Sequence, residues 1–294
     1  MGLYPINGTS SLNQALPPFQ IIPGQSAEDA AIDIVAAFKS IETLPNRVSR
    51  TYAVITDRLA IDLQSPLIIA GRSLAQAADT EAFAENNPYH NSQHYCEVML
   101  SSYFLSLLAG MDDQITAEVV SAALIHDFRH DGKANGDIPF RLERKAINEA
   151  APYLIHANVT HEQQRCLAAL VLATEHLNGV NIAHACYSHY TQGHALPKIP
   201  EVAIELEVLC TNPVKSKQAL ILCEADILPS IGLTLEHALQ LQDKLSLEWG
   251  VRLRFEDKLQ FIDHNCRAFI AGSFFNTNVA KLRLAMLHRL ESTR

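Results

Sequence analysis

Apolar positions along this chain recur at three- and four-residue steps, the spacing that gathers them on one face of an α-helix. An early case is Ile32, Ile34, Val35, Phe38 and Ile41, preceded by Ser26 with Asp29 three positions on, close to a capping box. The same reading predicts helices over 47–62, 91–109, 115–127, 141–155, 161–177, 199–211, 213–228, 233–248, 251–271 and 276–291. No β-branched alternating runs meet at hairpin turns; Asn135-Gly136 and Asn178-Gly179 punctuate helices instead. The expected fold class is all-α, a compact multi-helix domain of stacked antiparallel helices around a central pocket. Residues 1–25, rich in Pro, Gly, Ser and Asn, read as an irregular N-terminal arm, and 26–294 as a single helical domain. The segment 178–200 shows no clear apolar face and reads as a loop, either a lid beside a site or plain surface. Its histidines, His184, His189 and His194, read as ordinary loop residues.

Composition narrows the function classes. Of 294 residues 48% are hydrophobic, enough for a sizeable core and too many for long-range disorder. The net charge of −9 argues against a basic nucleic-acid face, although bound divalent cations would reverse the local sign for an anionic substrate. The six cysteines (Cys96, Cys166, Cys186, Cys210, Cys223, Cys266) form no C-x-x-C pair and read as free thiols rather than a disulfide framework. The first twenty residues have neither a basic nor an apolar signal-peptide region, and Ile6 stands where a Met-Gly lipidation motif wants Ser or Thr. No apolar run approaches the roughly 18 residues that span a bilayer. A cytoplasmic protein without nucleic-acid or membrane partners is the expectation, with a homodimer left open.

Three segments carry chemistry. In Tyr89-His90-Asn91-Ser92-Gln93-His94, two imidazoles four residues apart share one face if the stretch is helical. They could bind one metal, serve one metal and one substrate, or be ordinary amphipathic histidines. In Leu124-Ile125-His126-Asp127-Phe128-Arg129-His130, an apolar helix ends on a carboxylate flanked by histidines. Such a carboxylate is costly to bury unless something positive, such as a divalent metal, compensates it. In Cys223-Glu224-Ala225-Asp226-Ile227, Asp226 interrupts an apolar helix, either as a ligand or as a capping or salt-bridged residue.

In order, the three read His…His-Asp…Asp, which resembles the HD-domain metal-dependent phosphohydrolases. YHNSQHYCEV at 89–98 resembles the Y-H-N-x-x-H-A-x-D-V signature of the class I cyclic nucleotide phosphodiesterases, and HDFRHDGKAN at 126–135 their H-D-x-x-H-P-G-x-x-N. VLATEH at 171–176 is similar to the A-T-D-M segment, and CEADI at 223–227 to the A-D-[LI] segment. The likeness spans residues 86–265. It implies that His94, His126, Asp127 and Asp226 hold a first divalent metal (Zn, Mn or Fe). Asp127 would bridge to a second, largely hydrated one (Mg or Mn). It further implies that His90 is the general acid, that His130 lies beside the nucleophilic water and that Asn135 braces the same loop. Glu97 and Glu175 would orient histidines. Chemically, two metals roughly 3.5–4 Å apart activate a water and neutralise phosphate charge, and a histidine protonates the leaving alkoxide.

The chain departs from that pattern on the substrate side. Glu97 and Glu175 replace Asp, and Asp131 replaces Pro. The purine-binding Q-x-x-F-I arrangement is matched by Lys258-Leu259-Gln260-Phe261-Ile262-Asp263, where either Lys258 or Gln260 takes the glutamine's place beside Phe261. The expected activity is hydrolysis of a phosphate ester, most closely a 3',5'-cyclic nucleotide. The rivals are an HD-type hydrolase of a nucleotide monophosphate or other small phosphate ester, and a non-catalytic metal-stabilised binding module.

Overall fold

Burial sorts the helices of the computed structural model, which describes residues 25–80, 87–265, 270 and 272–292, by their roles. In chain order these are α1 (Ala27–Glu42), α2 (Arg47–Asp57), α3 (Pro66–Thr80), α4 (Ser92–Leu108), α5 (Asp113–Ile125), α6 (Arg141–His156) and α7 (His161–Leu172). Then come α8 (Gly179–Gln192), a 3-10 turn (Glu201–Leu206), α9 (Glu207–Thr211), α10 (Pro213–Ile231), α11 (Leu235–Trp249), α12 (Phe255–Asn265) and α13 (Gly272–Ser292). No strand occurs among the described residues, so the expected all-α class holds.

Two helices form the axis. Every residue of α4 from Ser92 to Ser106 is buried, so this helix has no solvent face and must be surrounded by others. It packs on α5, α10, α2 and α1. In α10, Asn212 caps the start by accepting from the Val214 and Lys215 N–H groups, Pro213 occupies the first turn, and Leu220–Ala225 are buried. Each apolar side chain there contributes roughly 1.5–3 kcal/mol by leaving water. The N-terminus of α4 and the C-terminal ends of α5 and α10 meet at one end of the bundle, and the chemistry-bearing residues lie there.

Several elements differ from the sequence expectation. Segment 178–200 is not a loop throughout: α8 fills Gly179–Gln192, with Gly179, Ile182, Ala183 and Cys186 buried at helical spacing. The stripe is built from small residues, which carry little apolar signal. Gly179 is required because a Cβ there would sit 2.2 Å from the Leu172 carbonyl oxygen. Helix α3 was not expected; its buried face (Leu67, Gly71, Leu74, Ala78) is again dominated by small residues. A Cβ at Gly71 would lie 2.0 Å from the Tyr52 hydroxyl, which itself hydrogen-bonds Ser121 Oγ at 2.9 Å. The helix expected over 199–211 is a 3-10 turn kinked at Ala203, followed by α9. The one over 251–271 begins only at Phe255, after Gly250 ends α11 in a left-handed conformation; its last residues lie outside those described. In α1, Ser26 caps the helix as expected, but Ile32 faces solvent while Ala31, Ile34, Val35, Phe38 and Ile41 form the core face. The expected arm over 1–25 lies outside the described residues except for Gln25. No disulfide joins the described cysteines, of which Cys96, Cys186 and Cys223 are buried. No single helix among the described residues is long and apolar enough to cross a membrane.

Candidate metal centre

His94 enters from the first turn of α4, whose start is fixed by Asn91 accepting from the Gln93 and His94 N–H groups. His126 caps the end of α5, and Asp127 follows it directly; the Tyr95 hydroxyl holds the Asp127 carbonyl at 2.6 Å. Asp226 projects from the last turns of α10. Their donor atoms converge. His94 Nε2 lies 3.2 Å from Asp127 Oδ2 and 3.4 Å from Asp226 Oδ1. His126 Nε2 lies 3.1 Å from Asp127 Oδ2, 3.5 Å from Asp226 Oδ1 and 3.4 Å from His94 Nε2.

His94, His126 and Asp127 form a close donor group that fits a metal, and Asp226 meets the two histidines from the other side. Four N/O ligands about 2.0–2.2 Å from one tetrahedral centre lie about 3.3–3.6 Å apart, and octahedral neighbours about 2.8–3.1 Å. The His126 Nδ1–H donates to the Ala123 carbonyl at 2.6 Å, which leaves the Nε2 lone pair for the centre. The local charges make the same demand. Burial pushes both histidines down, yet the two carboxylates outweigh it, raising His94 to about 9 and His126 well above its ordinary value. Burial pushes Asp127 and Asp226 up, yet the neighbouring histidines hold both well below the usual carboxylate range. Two half-buried carboxylates thus draw positive charge onto whatever stands between them, the role a divalent cation fills.

His90 belongs to the segment before the helix, not to α4 itself, because Asn91 is the cap. Its Nδ1 bonds the Glu248 carboxylate on α11, and its Nε2 faces the centre, 3.9 Å from Asp127 Oδ2. Glu248 also accepts the Tyr89 N–H at 2.8 Å and the His90 N–H at 2.9 Å. Burial raises this carboxyl, but those donors outweigh it and keep it ionised. His130 stacks on His90 with ring centroids 3.8 Å apart. Burial lowers His130 to about 4, so it is neutral near pH 7, and its Nδ1 accepts the Gly132 N–H at 3.0 Å. The ring proton is therefore on Nε2. His90, His130 and Glu248 also cluster closely enough to suggest a metal of their own. Glu248, already bonded by three N–H groups, is better explained as the clamp on His90.

Asn135 donates to both oxygens of Glu143 and accepts the Leu142 N–H at 2.8 Å, so it secures the start of α6. Burial, with Asp127 and Glu175 adding negative charge nearby, raises Glu143 to about 7. A carboxylate excess beside Asp127 suits a second cation.

Other sequence-predicted residues have partners away from the centre. Glu97 is 1% exposed and bonds Gln93 Nε2 at 3.0 Å and His237 Nε2 at 3.3 Å; the histidine it touches is on α11 and is not one of the metal-facing pair. The Glu175 side chain accepts from Asn178 and Gly179 at the start of α8, so its hydrogen bonds serve a helix end and not a histidine. Gln260 is exposed on α12, whereas Phe261 lines the cleft beside Asp226, with Thr174, His176, His184 and His264 on its other walls. Lys258 is buried, its ammonium 5.8 Å from the Phe261 ring centroid. The departure of Asp131 from proline is explained by Arg141, which pairs with it at 2.6 Å. Sequence reasoning missed Glu248 and Glu143, because each lies on an amphipathic helix where a glutamate is ordinary. Glu248 sits 158 positions from His90, and no spacing rule links them.

Comparison with solved structures gives the fold a precedent. The phosphodiesterase domain of the RhoPDE fusion protein from the choanoflagellate Salpingoeca rosetta superposes with a TM-score of 0.60 at 17% identity, covering 98% of this chain and 99% of that one. The chain has the phosphodiesterase-domain fold. A second structure, the phosphodiesterase domain of Salpingoeca rosetta rhodopsin phosphodiesterase, matches at TM-score 0.59 and 16% identity, with 98% and 96% covered. The sequence matches no protein-family model and no curated protein.

Proposed function

We propose that this phosphodiesterase-fold protein is a divalent-metal-dependent phosphodiester hydrolase of the cyclic nucleotide phosphodiesterase type. One observation carries the reading: each of two imidazole nitrogens, His94 Nε2 and His126 Nε2, lies 3.1–3.5 Å from a carboxylate oxygen of Asp127 and from one of Asp226. His94, His126, Asp127 and Asp226 would hold a first metal, with Zn, Mn or Fe suited to that N/O set. Asp127, on the side facing Glu143, would share a second, for which Mg or Mn suits the oxygen-rich surroundings. When bound, the metals supply a water made nucleophilic and charge neutralisation on the phosphate.

The protein's own groups do the rest. His90 Nε2 faces the centre while Glu248 fixes Nδ1, which orients the ring so that Nε2 can hand a proton to a leaving oxygen. His130, neutral and stacked on His90, presents an Nε2–H donor on the same side. Phe261 supplies an apolar wall to the cleft for the organic part of the ester.

A hydrolase of a nucleotide monophosphate or other small phosphate ester is the second reading, favoured by the buried cation Lys258 near the cleft. A purely structural metal module would have no use for the His90–Glu248 pair. The test is metal analysis together with turnover of cyclic nucleotides, dinucleotides and phosphomonoesters under Mn²⁺, Mg²⁺ and Zn²⁺. Hydrolysis of diesters in preference to monoesters is expected; cleavage of monoesters alone would favour the second reading, and no turnover with any metal would refute both.

A further inference from the structure

A side chain disfavours the left-handed backbone conformation, because its Cβ crowds the following carbonyl oxygen; glycine adopts it freely and often ends a helix in it. Shortly after the end of α5 the chain has Arg129 in that conformation, at φ 60°. Arg129 stands between two groups of the centre, Asp127 before it and His130 directly after. A residue so placed persists only where its surroundings over-determine it. Those surroundings are on α6. Lys145 Nζ donates to the Arg129 carbonyl at 2.6 Å, and the Glu149 carboxylate pairs with the Arg129 guanidinium. Lysine and glutamate one turn apart on a helix are placed to pair with each other. Here both reach Arg129, one at its backbone and one at its side chain, while the guanidinium lies 5.5 Å from the centroid of the Phe128 ring.

Resting on the hydrolase reading above, we propose that Lys145 is a positioning residue: with Glu149 it makes the left-handed Arg129 the stable conformation and so sets the His130 ring beside His90 and Asp127. Side chains from separate elements bond three carbonyls of this loop: Tyr95 that of Asp127, Lys145 that of Arg129, and Asn87 that of His130. Of the three, Lys145 acts at the residue whose own conformation is unfavourable. The turn at Arg129 brings the His130 ring to 3.8 Å from His90 between centroids and lets His130 Nδ1 accept the Gly132 N–H at 3.0 Å.

The test is a double-mutant cycle in the metal-loaded full chain, with Lys145→Met and Arg129→Gly made singly and together. Lys145→Met should keep its metal and lower kcat for a diester by about 5–30-fold, the factor by which a side chain disfavours this conformation, with KM little changed. Lys145→Arg, which can still donate to the carbonyl, should recover most of the loss. Arg129→Gly removes the conflict at its source, so adding Lys145→Met to it should cost far less than Lys145→Met costs by itself. A residue that only stabilises the fold would give the same loss in both backgrounds. Amide hydrogen exchange reads the effect without turnover: the Gly132 N–H should exchange faster in Lys145→Met and return toward the wild-type rate in the double variant. If no ester is cleaved with any metal but this exchange pattern appears, the hydrolase reading fails and the placement of His130 by Lys145 stands. Equal effects of Lys145→Met with and without Arg129→Gly, or wild-type kcat and Gly132 exchange in Lys145→Met, would overturn it.

Discussion

The two walls of the cleft are built by different means. On the metal side, each donor sits on or beside a helix buried in the core: His94 at the first turn of α4, His126 and Asp127 at the end of α5, Asp226 within α10. A shift of any of them would require moving a core helix, so packing holds the ligand geometry. On the cleft side, α12 turns Phe261 to the cleft and Gln260 to solvent. The proposed metal site is thus tied to core helices, whereas the cleft wall proposed to meet the substrate is carried by α12, of which several residues face solvent.

The largest effect that would break this comparison lies at the ligands. Asp127→Ala or His126→Ala should abolish retained metal and reduce diester turnover to background, and lower Tm in the metal-loaded state, since metal binding adds to folding free energy. Full occupancy in either variant, measured by elemental analysis, would contradict the assignment.

Next comes the acid. Glu248→Gln and His90→Ala should keep their metals yet lose about 10²–10⁴-fold in turnover of esters with alkoxide leaving groups. The loss should be much smaller with p-nitrophenolate, which needs little protonation. An equal loss on both leaving groups would remove the proton-donor role from His90.

A third prediction concerns charge. The Glu143 carboxyl is raised from its ordinary value to about 7. Its folded pKa lies above its unfolded one, so its contribution to stability is intact below the unfolded value and is lost as pH rises toward 7. The ionised carboxylate then costs the metal-free protein about 2–3 kcal/mol. Glu143→Gln should therefore raise the Tm of the metal-free protein at pH 8 and do little at pH 4. Metal loading should cancel the gain. An unchanged Tm at pH 8 would mean that Glu143 is not in a negatively loaded pocket.

Smaller still is a packing effect. Gly71→Ala forces a methyl against the Tyr52 hydroxyl and should destabilise by about 1–3 kcal/mol, read by denaturant unfolding, with little change in metal affinity. Least of all is Gln260→Ala, whose side chain is outside the cleft; a change beyond about twofold in kcat/KM, within the range of a single weak contact, would place it inside after all.

How far the sequence discloses this arrangement depends on where the information lies. The quartet was legible because its members fall in short motifs, and the helices that carry them bear strong apolar patterns. His90 and His94 face the same centre as their spacing suggests, although Asn91 caps α4 and leaves His90 just outside the helix. Helices α3 and α8 are weakly marked in the sequence because glycine, alanine and cysteine, which permit close approach, make up more than half of their buried faces. The partners of Glu97, Glu175, Glu143 and Glu248 depend on which helices become neighbours, information that lies in tertiary contacts between distant segments. The choice between Lys258 and Gln260 turns on the rotation of α12, which follows from its packing and not from its motif.

X-ray absorption spectroscopy at the metal edge of the protein purified with zinc tests the central claim most directly. Two imidazole nitrogens and oxygen ligands at about 2.0–2.2 Å are predicted, with one imidazole contribution lost in His94→Ala. Sulfur ligands at about 2.3 Å, or an unaltered spectrum in that variant, would contradict it.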